Sequence, residues 1–226
     1  EVFRRRSGLA LYFSFDLEKK IPVGAGLGGG SGNAAVALRA MNQLAGGPLD
    51  GAALVEAAAE LGSDCAFFLE GGPAVLRGRG ERVEPLPAEA ASRLAGRRLL
   101  LFKPGFAIST AWAYGQLRSA GLPGDYEAPA LAEARLQSFL GGGPLSSLLE
   151  NTFEPVVGRK FLAIPLLLED LRAMGLPCRM SGSGSCCFAL PEDSGPSVEA
   201  IRARVQDAWG DAVFFVETSI LGTKTK

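Results

Sequence analysis

The first half of the chain opens with a pattern that is typical of a β-strand. Within residues 11–21, apolar and polar side chains alternate from Phe13 to Leu17, and Pro22 follows directly. A period of two residues indicates a strand with one face buried, and proline is a natural end for such a strand. The sequence therefore predicts a half-buried strand over residues 11–21.

The clearest helical pattern follows a glycine-dense loop. Ala34, Leu38 and Met41 recur at the spacing of one helix face, and Gly46-Gly47-Pro48 is a strong stop signal. Ser31 stands at the start of this pattern as the candidate N-cap. We therefore expect a helix from about Ser31 to Leu44 or Ala45.

Caps, breakers and apolar runs predict the remaining elements. Asp50 is the candidate N-cap of the next helix, and Ser63 or Asp64 that of a short helix. The stretch Pro87–Gly96 is predicted to be a linker between domains 1–95 and 96–226. Because helices and strands are mixed, the fold class is α/β or α+β. The predicted helices span 50–60, 65–69, 109–120, 129–140, 165–174 and 197–209, and the predicted strands span 74–77, 81–86, 98–102, 177–180, 186–190 and 212–216.

Charge and hydropathy exclude two classes of protein. The 23 Lys and Arg residues balance 24 Asp and Glu residues, giving a net charge of −1. That balance argues against a protein that binds nucleic acid through its phosphates, since such proteins carry a basic excess. No apolar run approaches the roughly 20 residues that cross a bilayer, so we expect no membrane partner.

The residues available for chemistry are restricted. The sequence contains no histidine, which removes the usual general base and any Ser-His or Cys-His pair. Acid–base chemistry must therefore depend on carboxylates, lysine, tyrosine or cysteine. The four cysteines are expected to be reduced, buried and located in the cytoplasm: Cys65, Cys178, Cys186 and Cys187.

The glycine-dense loop before the first long helix is the strongest candidate site. Glycine lets main-chain N–H groups approach an anion, and a helix start adds unpaired donors. A flexible turn with glycines for packing is the alternative, and no Gly-Lys-Ser/Thr of a Walker A motif is present. The candidate phosphate-binding residues are Pro22, Val23, Gly24, Ala25, Gly26, Leu27, Gly28, Gly29, Gly30, Ser31 and Gly32.

Two further features each allow a structural and a functional interpretation. Asp64 is either a simple N-cap or a carboxylate that acts as base or metal ligand beside the phosphate loop. The loop Met180–Ser185 is either a plain hairpin turn or a second nest of main-chain amides that faces substrate or phosphate. In the second interpretation, Gly182, Ser183 and Gly184 are the candidate contacts.

Taken together, these motifs identify a family resemblance. The chain resembles the GHMP kinases, and within them the branch of the non-mevalonate isoprenoid pathway, because it carries in order PVGAGLGGGS (22–31), LGSDCAFF (61–68), GRGE (78–81), NTFEPVV (151–157) and MSGSG (180–184). The resemblance implies an α+β, two-lobed kinase whose C-terminal lobe is ferredoxin-like. It implies a cytoplasmic bacterial enzyme, monomeric or homodimeric, that uses ATP and Mg²⁺ to phosphorylate an alcohol of a small molecule.

The same resemblance assigns roles to individual residues. It implies that the ATP phosphates lie on Pro22–Gly32, with Ser31 as a candidate phosphate or Mg²⁺ contact. It also implies that Asp64 is the catalytic base, and that phosphoryl transfer depends mainly on positioning and charge stabilisation. The resemblance assigns no side chain that would hold the metal ion by itself, because the Mg²⁺ ion is expected to arrive with ATP.

The chain departs from the family pattern at two places. Gly32 stands where a serine or threonine is usual, and the strand with Pro-Ala-Lys-x-Asn, whose lysine pairs with the catalytic aspartate, is missing before Phe13. We therefore expect an incomplete N-terminal lobe, poor stability and little kinase activity. A urea midpoint as high as that of a complete relative would contradict the first expectation, and normal turnover the second. The alternatives are another GHMP small-molecule kinase, for homoserine or mevalonate-type substrates, and a catalytically impaired nucleotide-binding fragment.

Overall fold

The computed structural model describes residues 1–119 and 129–222, and its chain forms two compact units. The first contains Glu1–Pro22 and Gly28–Ser92, together with Leu221 and Gly222. The second contains Val23–Leu27 and the described residues of Arg93–Ile220. The glycine-dense loop thus contributes a segment to each unit. The assignment of 1–95 and 96–226 as two lobes stays a prediction.

The first unit is mainly helical and carries one small hairpin. Its elements are α1 (Val2–Ser7), α2 (Gly29–Leu44), α3 (Gly51–Leu61), α4 (Cys65–Glu70), β1 (Ala74–Arg77) and β2 (Arg82–Pro85). The two strands pair antiparallel and form the predicted hairpin. In its register, Ala74 lies opposite Pro85. The predicted cap of α3 is confirmed, because the Asp50 carboxylate accepts a hydrogen bond from the Ala53 amide at 2.8 Å.

The prediction of a strand over residues 11–21 is wrong. This segment has no regular secondary structure, and the side chains of Tyr12, Phe15 and Leu17 are 83%, 52% and 63% exposed. Only Phe13 in this alternating stretch packs inward, edge-on to Phe3 with ring centroids 5.8 Å apart. A strand needs a neighbour for its N–H and C=O groups, and no strand in the described residues pairs with this segment.

The predicted N-cap of α2 is also wrong, by three residues. The helix begins at Gly29, and its N-cap is Gly28, whose φ of +65° lies in the left-handed region. Ser31 lies inside the first turn. The sequence favoured Ser31 because serine is a frequent N-cap, whereas glycine also serves there and alone enters the left-handed region at little cost. The helix ends at Leu44, as predicted.

The second unit is built on a four-stranded antiparallel sheet. After α5 (Ala88–Leu94), within which the division into units falls, its elements are β3 (Arg98–Lys103), α6 (Thr110–Ser119), α7 (Pro129–Leu140), a 3-10 turn (Leu145–Leu148), α8 (Phe153–Gly158), α9 (Ala163–Ala173), β4 (Cys178–Met180), β5 (Cys187–Ala189), α10 (Val198–Trp209) and β6 (Phe214–Ser219). The strand order is β4-β5-β3-β6, and every neighbouring pair is antiparallel. This is the split β-α-β arrangement of a ferredoxin-like fold.

Most elements predicted for this unit are present within a few residues of their predicted bounds. The helix α5 lies in the predicted linker, and α8 and the 3-10 turn were not predicted. The predicted helix end at Ala120 falls outside the described residues. Within those residues, no helix has both the length and the apolar character needed to cross a bilayer.

One face of the sheet and the helices α9 and α10 form the core of the second unit. Leu100 and Phe102 of β3 are fully buried there against Leu168 and Ile201. All four cysteines are free thiols and buried, as predicted. Because α9 and α10 fill this face, the loop between β4 and β5 projects from a rigid support.

Candidate functional site

The segment Val23–Leu27 packs against the loop that joins β4 to β5, within the second unit. The Cys186 amide donates to the Ala25 carbonyl at 3.0 Å, and the Ser181 hydroxyl donates to the Gly26 carbonyl at 2.9 Å. A Cβ placed on Gly26 would overlap the Ser181 carbonyl oxygen and lie 3.0 Å from the Gly184 amide nitrogen. With a φ of +73° as well, position 26 requires glycine.

The next part of the loop, in the first unit, forms the start of α2. No side chain caps this helix, and the first helical hydrogen bond joins the Gly32 amide to the Gly28 carbonyl at 2.8 Å. The N–H groups of Gly29, Gly30 and Ser31 therefore have no intrahelical acceptor. Three free donors and the positive end of a 16-residue helix favour an anion.

A basic side chain lies close to this helix start. A Cβ placed on Gly29 would be 3.6 Å from the Lys19 ammonium nitrogen, so the cation stands beside the free amides. A shallow depression there is lined by Glu18, Lys19, Lys20, Ile21, Gly29 and Asn33, so two cations and one carboxylate border it. The net positive charge and the unpaired main-chain donors both favour a phosphate.

Helix α4 packs directly on the glycines of α2. A Cβ on Gly28 would lie 2.6 Å from the ring of Phe68, so the close approach of the two helices depends on glycine. The buried Cys65 thiol interacts with the Ser31 hydroxyl, and burial raises the pKa of that thiol. The first turn of α4 thus lies against the first turn of α2.

Asp64 immediately precedes this contact. It occupies the predicted N-cap position of α4, but its side chain accepts no capping hydrogen bond. The carboxylate is exposed, and one of its oxygens would lie 3.4 Å from a Cβ on Gly80 in the hairpin loop. No basic group within residues 1–119 and 129–222 forms an ion pair with it. Asp64 is therefore a free carboxylate one residue from the side chain that contacts Ser31.

The loop Ser181–Ser185 connects two strands that pair antiparallel, so it is a hairpin connection, and its role toward a ligand stays a prediction. All three of its serine hydroxyls are bonded to the protein. Ser181 donates to Gly26, the Ser183 hydroxyl lies 2.9 Å from that of Thr110, and Ser185 donates to the Phe106 carbonyl at 2.6 Å. The loop can therefore offer a ligand only main-chain groups. Gly182 is exposed, whereas Ser183 and Gly184 are buried.

Two side chains that support this loop were missed by sequence reasoning. Lys103, at the end of β3, is buried and donates to the carbonyls of Pro104 and Phe106 at 3.0 and 2.7 Å. Thr110 begins α6 and contacts Ser183. A lysine at the end of a buried apolar strand is an unusual pattern that could have marked the first, because lysine is rarely buried without partners.

Comparisons with known proteins agree with these motifs. The sequence pattern of the GHMP kinases N terminal domain matches residues 1–72, and that of the GHMP kinases C terminal domain matches residues 128–212. A 4-diphosphocytidyl-2-C-methyl-D-erythritol kinase of Synechococcus sp. is 39% identical over 203 residues, which cover 84% of this chain and 64% of that protein. The kinase of the same name from Thermotoga maritima is 39% identical over 202 residues, covering 86% of this chain and 69% of the relative.

Solved structures give the same result for the fold. The crystal structure of a 4-(cytidine 5'-diphospho)-2C-methyl-D-erythritol kinase is similar with a TM-score of 0.63 and 34% identity, over 89% of this chain and 69% of that one. A homoserine kinase from Cytophaga hutchinsonii shares the fold with a TM-score of 0.66 and 22% identity, over 91% and 69%. This chain spans about two-thirds of the length of the curated relatives it matches. The two matched domain patterns and these relatives together show that the chain belongs to the GHMP kinase family.

Proposed function

We propose that this chain transfers the γ-phosphoryl group of ATP to the 2-hydroxyl of 4-diphosphocytidyl-2-C-methyl-D-erythritol, a reaction of the non-mevalonate isoprenoid pathway. The observation that carries the proposal is the uncapped start of α2, with an exposed and unpaired carboxylate at the adjoining turn of α4. Relatives at 39% identity are named for this activity.

The phosphates of ATP are assigned to residues 22–32. The amides of Gly29, Gly30 and Ser31 supply donors, and Lys19 supplies a positive charge beside them. The bond between the Cys186 amide and the Ala25 carbonyl holds the preceding segment, so the loop is shaped before nucleotide arrives. Such preorganised donors stabilise charge on a transferring phosphoryl group without reorganisation.

Asp64 is assigned as the general base. Its carboxylate takes the proton of the substrate hydroxyl while that oxygen forms a bond to the γ-phosphorus of ATP. The bond between this phosphorus and the bridging oxygen breaks, and ADP leaves with the electron pair. An exposed carboxylate without a capping bond is free for this role, and the lack of histidine leaves few other candidates.

The residues of the site fit a Mg²⁺ ion that arrives with the nucleotide. In the described residues, no cluster of three His, Cys, Asp or Glu side chains could form a protein cage for a metal. Mg²⁺ commonly keeps water and binds one or two side chains plus substrate phosphates, and the Ser31 hydroxyl is a suitable oxygen donor. When bound, it would neutralise phosphate charge.

A cytoplasmic location is part of the proposal, because the four free, buried thiols suit a reducing compartment. Monomer or homodimer remains the expectation for the assembly, and the cytidine-bearing small molecule is the expected partner.

The substitution Asp64→Asn tests the assignment of the base. Calorimetric titration with ATP and Mg²⁺ should give an unchanged affinity, while phosphorylation of the cytidine-bearing substrate falls at least about 100-fold. Glu70→Gln, at the other end of α4, is the matched control and should change neither. Activity is measured in this chain and in the product of its whole gene. Retained turnover in Asp64→Asn would reject the role of Asp64.

An impaired nucleotide-binding protein is the second candidate. The lack of an ion pair to Asp64 in the described residues favours it, because a base without an ion pair is less well positioned. Binding of ATP without transfer to any acceptor, in a panel that includes homoserine and mevalonate, would support this candidate. Transfer to another acceptor in that panel would instead indicate a different GHMP kinase.

A further inference from the structure

The NTFE stretch, residues 151–154, is a motif of the resemblance that the proposed chemistry leaves without a role. Asn151 stands just before α8, where its side-chain oxygen accepts the Phe153 amide at 2.7 Å. This bond fixes the side chain, and its amide nitrogen then donates to the carbonyls of Met180 and Gly182 at 2.6 and 2.9 Å. One asparagine therefore bonds both the end of β4 and the loop that follows.

Glu154, one turn further, bonds the same strand. One carboxylate oxygen accepts the Met180 amide at 2.7 Å, and the other accepts Arg172 at 2.8 Å. Arg172 in turn donates to the Cys178 carbonyl at 3.2 and 3.1 Å. The Glu154 side chain is only 18% exposed, so this network is partly shielded from water.

These contacts lie on the outer side of an edge strand. β4 is the last strand of the sheet and pairs only with β5, which leaves the groups of Cys178 and Met180 that face away from β5 without a strand partner. Asn151 and Glu154 supply partners to the Met180 carbonyl and amide, and Arg172 supplies one to the Cys178 carbonyl. The position of the strand end, and of the loop after it, thus depends on residues 151–154.

The bond to Gly182 has a particular geometric consequence. A trans peptide is planar, and its C=O and N–H groups point in opposite directions. The Gly182–Ser183 peptide is trans, so the bond from Asn151 to the Gly182 carbonyl also fixes the direction of the Ser183 N–H. That N–H has no acceptor among residues 1–119 and 129–222. Asn151 therefore fixes the direction of the unpaired Ser183 N–H, which points away from the Asn151 side chain.

We propose that Asn151 is a positioning residue that aims the Ser183 amide at an anionic group of a ligand bound at the loop Ser181–Ser185, and that Glu154 fixes the strand end on which this depends. The proposal deepens and rests on the kinase function proposed above. Neither residue contacts a reacting atom in this assignment, and both act through the loop Ser181–Ser185.

The test uses Asn151→Asp, which keeps the shape of the side chain and its acceptor for the Phe153 amide. It removes the donor and places negative charge against two carbonyl oxygens. Hydrogen–deuterium exchange of the segment 180–186, without nucleotide, should rise about tenfold, as expected for the loss of two partly buried hydrogen bonds. The affinity for ATP and Mg²⁺, by calorimetry, should fall by a similar factor.

Glu154 offers a rescue experiment. Glu154→Ala removes the acceptor of the Met180 amide and should increase exchange as Asn151→Asp does, whereas Glu154→Gln keeps an acceptor oxygen and should restore protection to near the original level. The matched control is Glu150→Gln, which removes an exposed ion pair to Arg135 one residue from Asn151. It should change neither exchange nor affinity.

The outcomes separate this inference from the proposed function. Unchanged exchange in both Asn151→Asp and Glu154→Ala would overturn the positioning role, whatever the enzyme does. Raised exchange with unchanged affinity for ATP and for the phosphorylated product would overturn the assignment of the Ser183 amide to an anion. If the unmodified chain binds no ATP, the proposed function fails, while the exchange measurement still decides the role of Asn151.

Discussion

At the start of α2, three main-chain amides are left without an acceptor and no side chain caps them. In the loop Ser181–Ser185, by contrast, all three serine hydroxyls and the Gly182 carbonyl are bonded to other parts of the second unit. Both stretches are rich in glycine. In the first, glycine leaves donors open beside Lys19; in the second, it lets two main chains touch. Which polar groups stay unpaired within the described residues, rather than the number of glycines, therefore indicates what each stretch can offer a ligand: several amides at the start of α2, but only main-chain groups such as the Ser183 amide in the loop Ser181–Ser185.

The largest expected effect comes from Gly26→Ala. The new methyl group would overlap the Ser181 carbonyl, and alanine disfavours the φ of +73°. We expect the free energy of unfolding of the second unit to fall by about 3 kcal/mol or more, because backbone strain and overpacking add. Urea unfolding measures this. A loss below about 1 kcal/mol would mean that the two main chains are not in close contact.

A smaller effect on stability is expected from the thiols of Cys178 and Cys186, which lie on either side of the loop Ser181–Ser185. Burial raises the pKa of Cys178 to about 11 and that of Cys186 to about 12, from an ordinary value of 9.0. Between pH 9 and 11 the unfolded chain loses these protons and the folded chain keeps them, so stability falls as the pH rises. The slope should approach about 1 kcal/mol per pH unit for each thiol.

Urea unfolding at pH 8, 9 and 10 tests this slope. Cys178→Ala removes one of the titrating groups and should make the decline shallower than in the unmodified chain. Because other groups titrate in this range in both chains, the difference between the two slopes is the informative quantity. Identical slopes would show that the Cys178 thiol is not held in a dry environment.

The smallest effect, of opposite sign, is expected for Gly30→Ala. A Cβ at this position meets nothing within 4 Å, and the residue lies in the first turn of α2. Alanine should stabilise the first unit by about 0.5–1 kcal/mol, since it favours the helix. If this glycine serves phosphate, calorimetry should show weaker ATP binding despite the higher stability. Unchanged binding would place the phosphates elsewhere.

The sequence sufficed where a local signal decides the structure. Asp50 ahead of α3 forms the capping bond that was predicted for it. The helix predicted from Ser197 is present as α10, with Ser197 as its N-cap. The alternation from Phe13 to Leu17 misled because a strand also requires a partner strand, which no local pattern supplies. At Asp64 the local signal gives the position but not the contact. Aspartate favours the N-cap position and Asp64 occupies it, yet its carboxylate makes no bond to the helix.

The contacts of the candidate site were beyond local reasoning. Ser181 and Gly26 are separated by 155 positions along the chain, and nothing near either residue indicates the other. The role of Asn151 depends on β4 being an edge strand, which only the completed sheet shows. The resemblance to GHMP kinases located these motifs, whereas the hydrogen bonds explain what each contributes.

The side chains along the outer side of β4 have a consequence for self-association. With the Met180 amide and carbonyl and the Cys178 carbonyl already bonded, three of the main-chain groups that a strand from another molecule would use are occupied. Addition of a strand at this border requires that these bonds break first, whereas β6 at the opposite border, where Val216 is 38% exposed, pairs within the described residues only with β3.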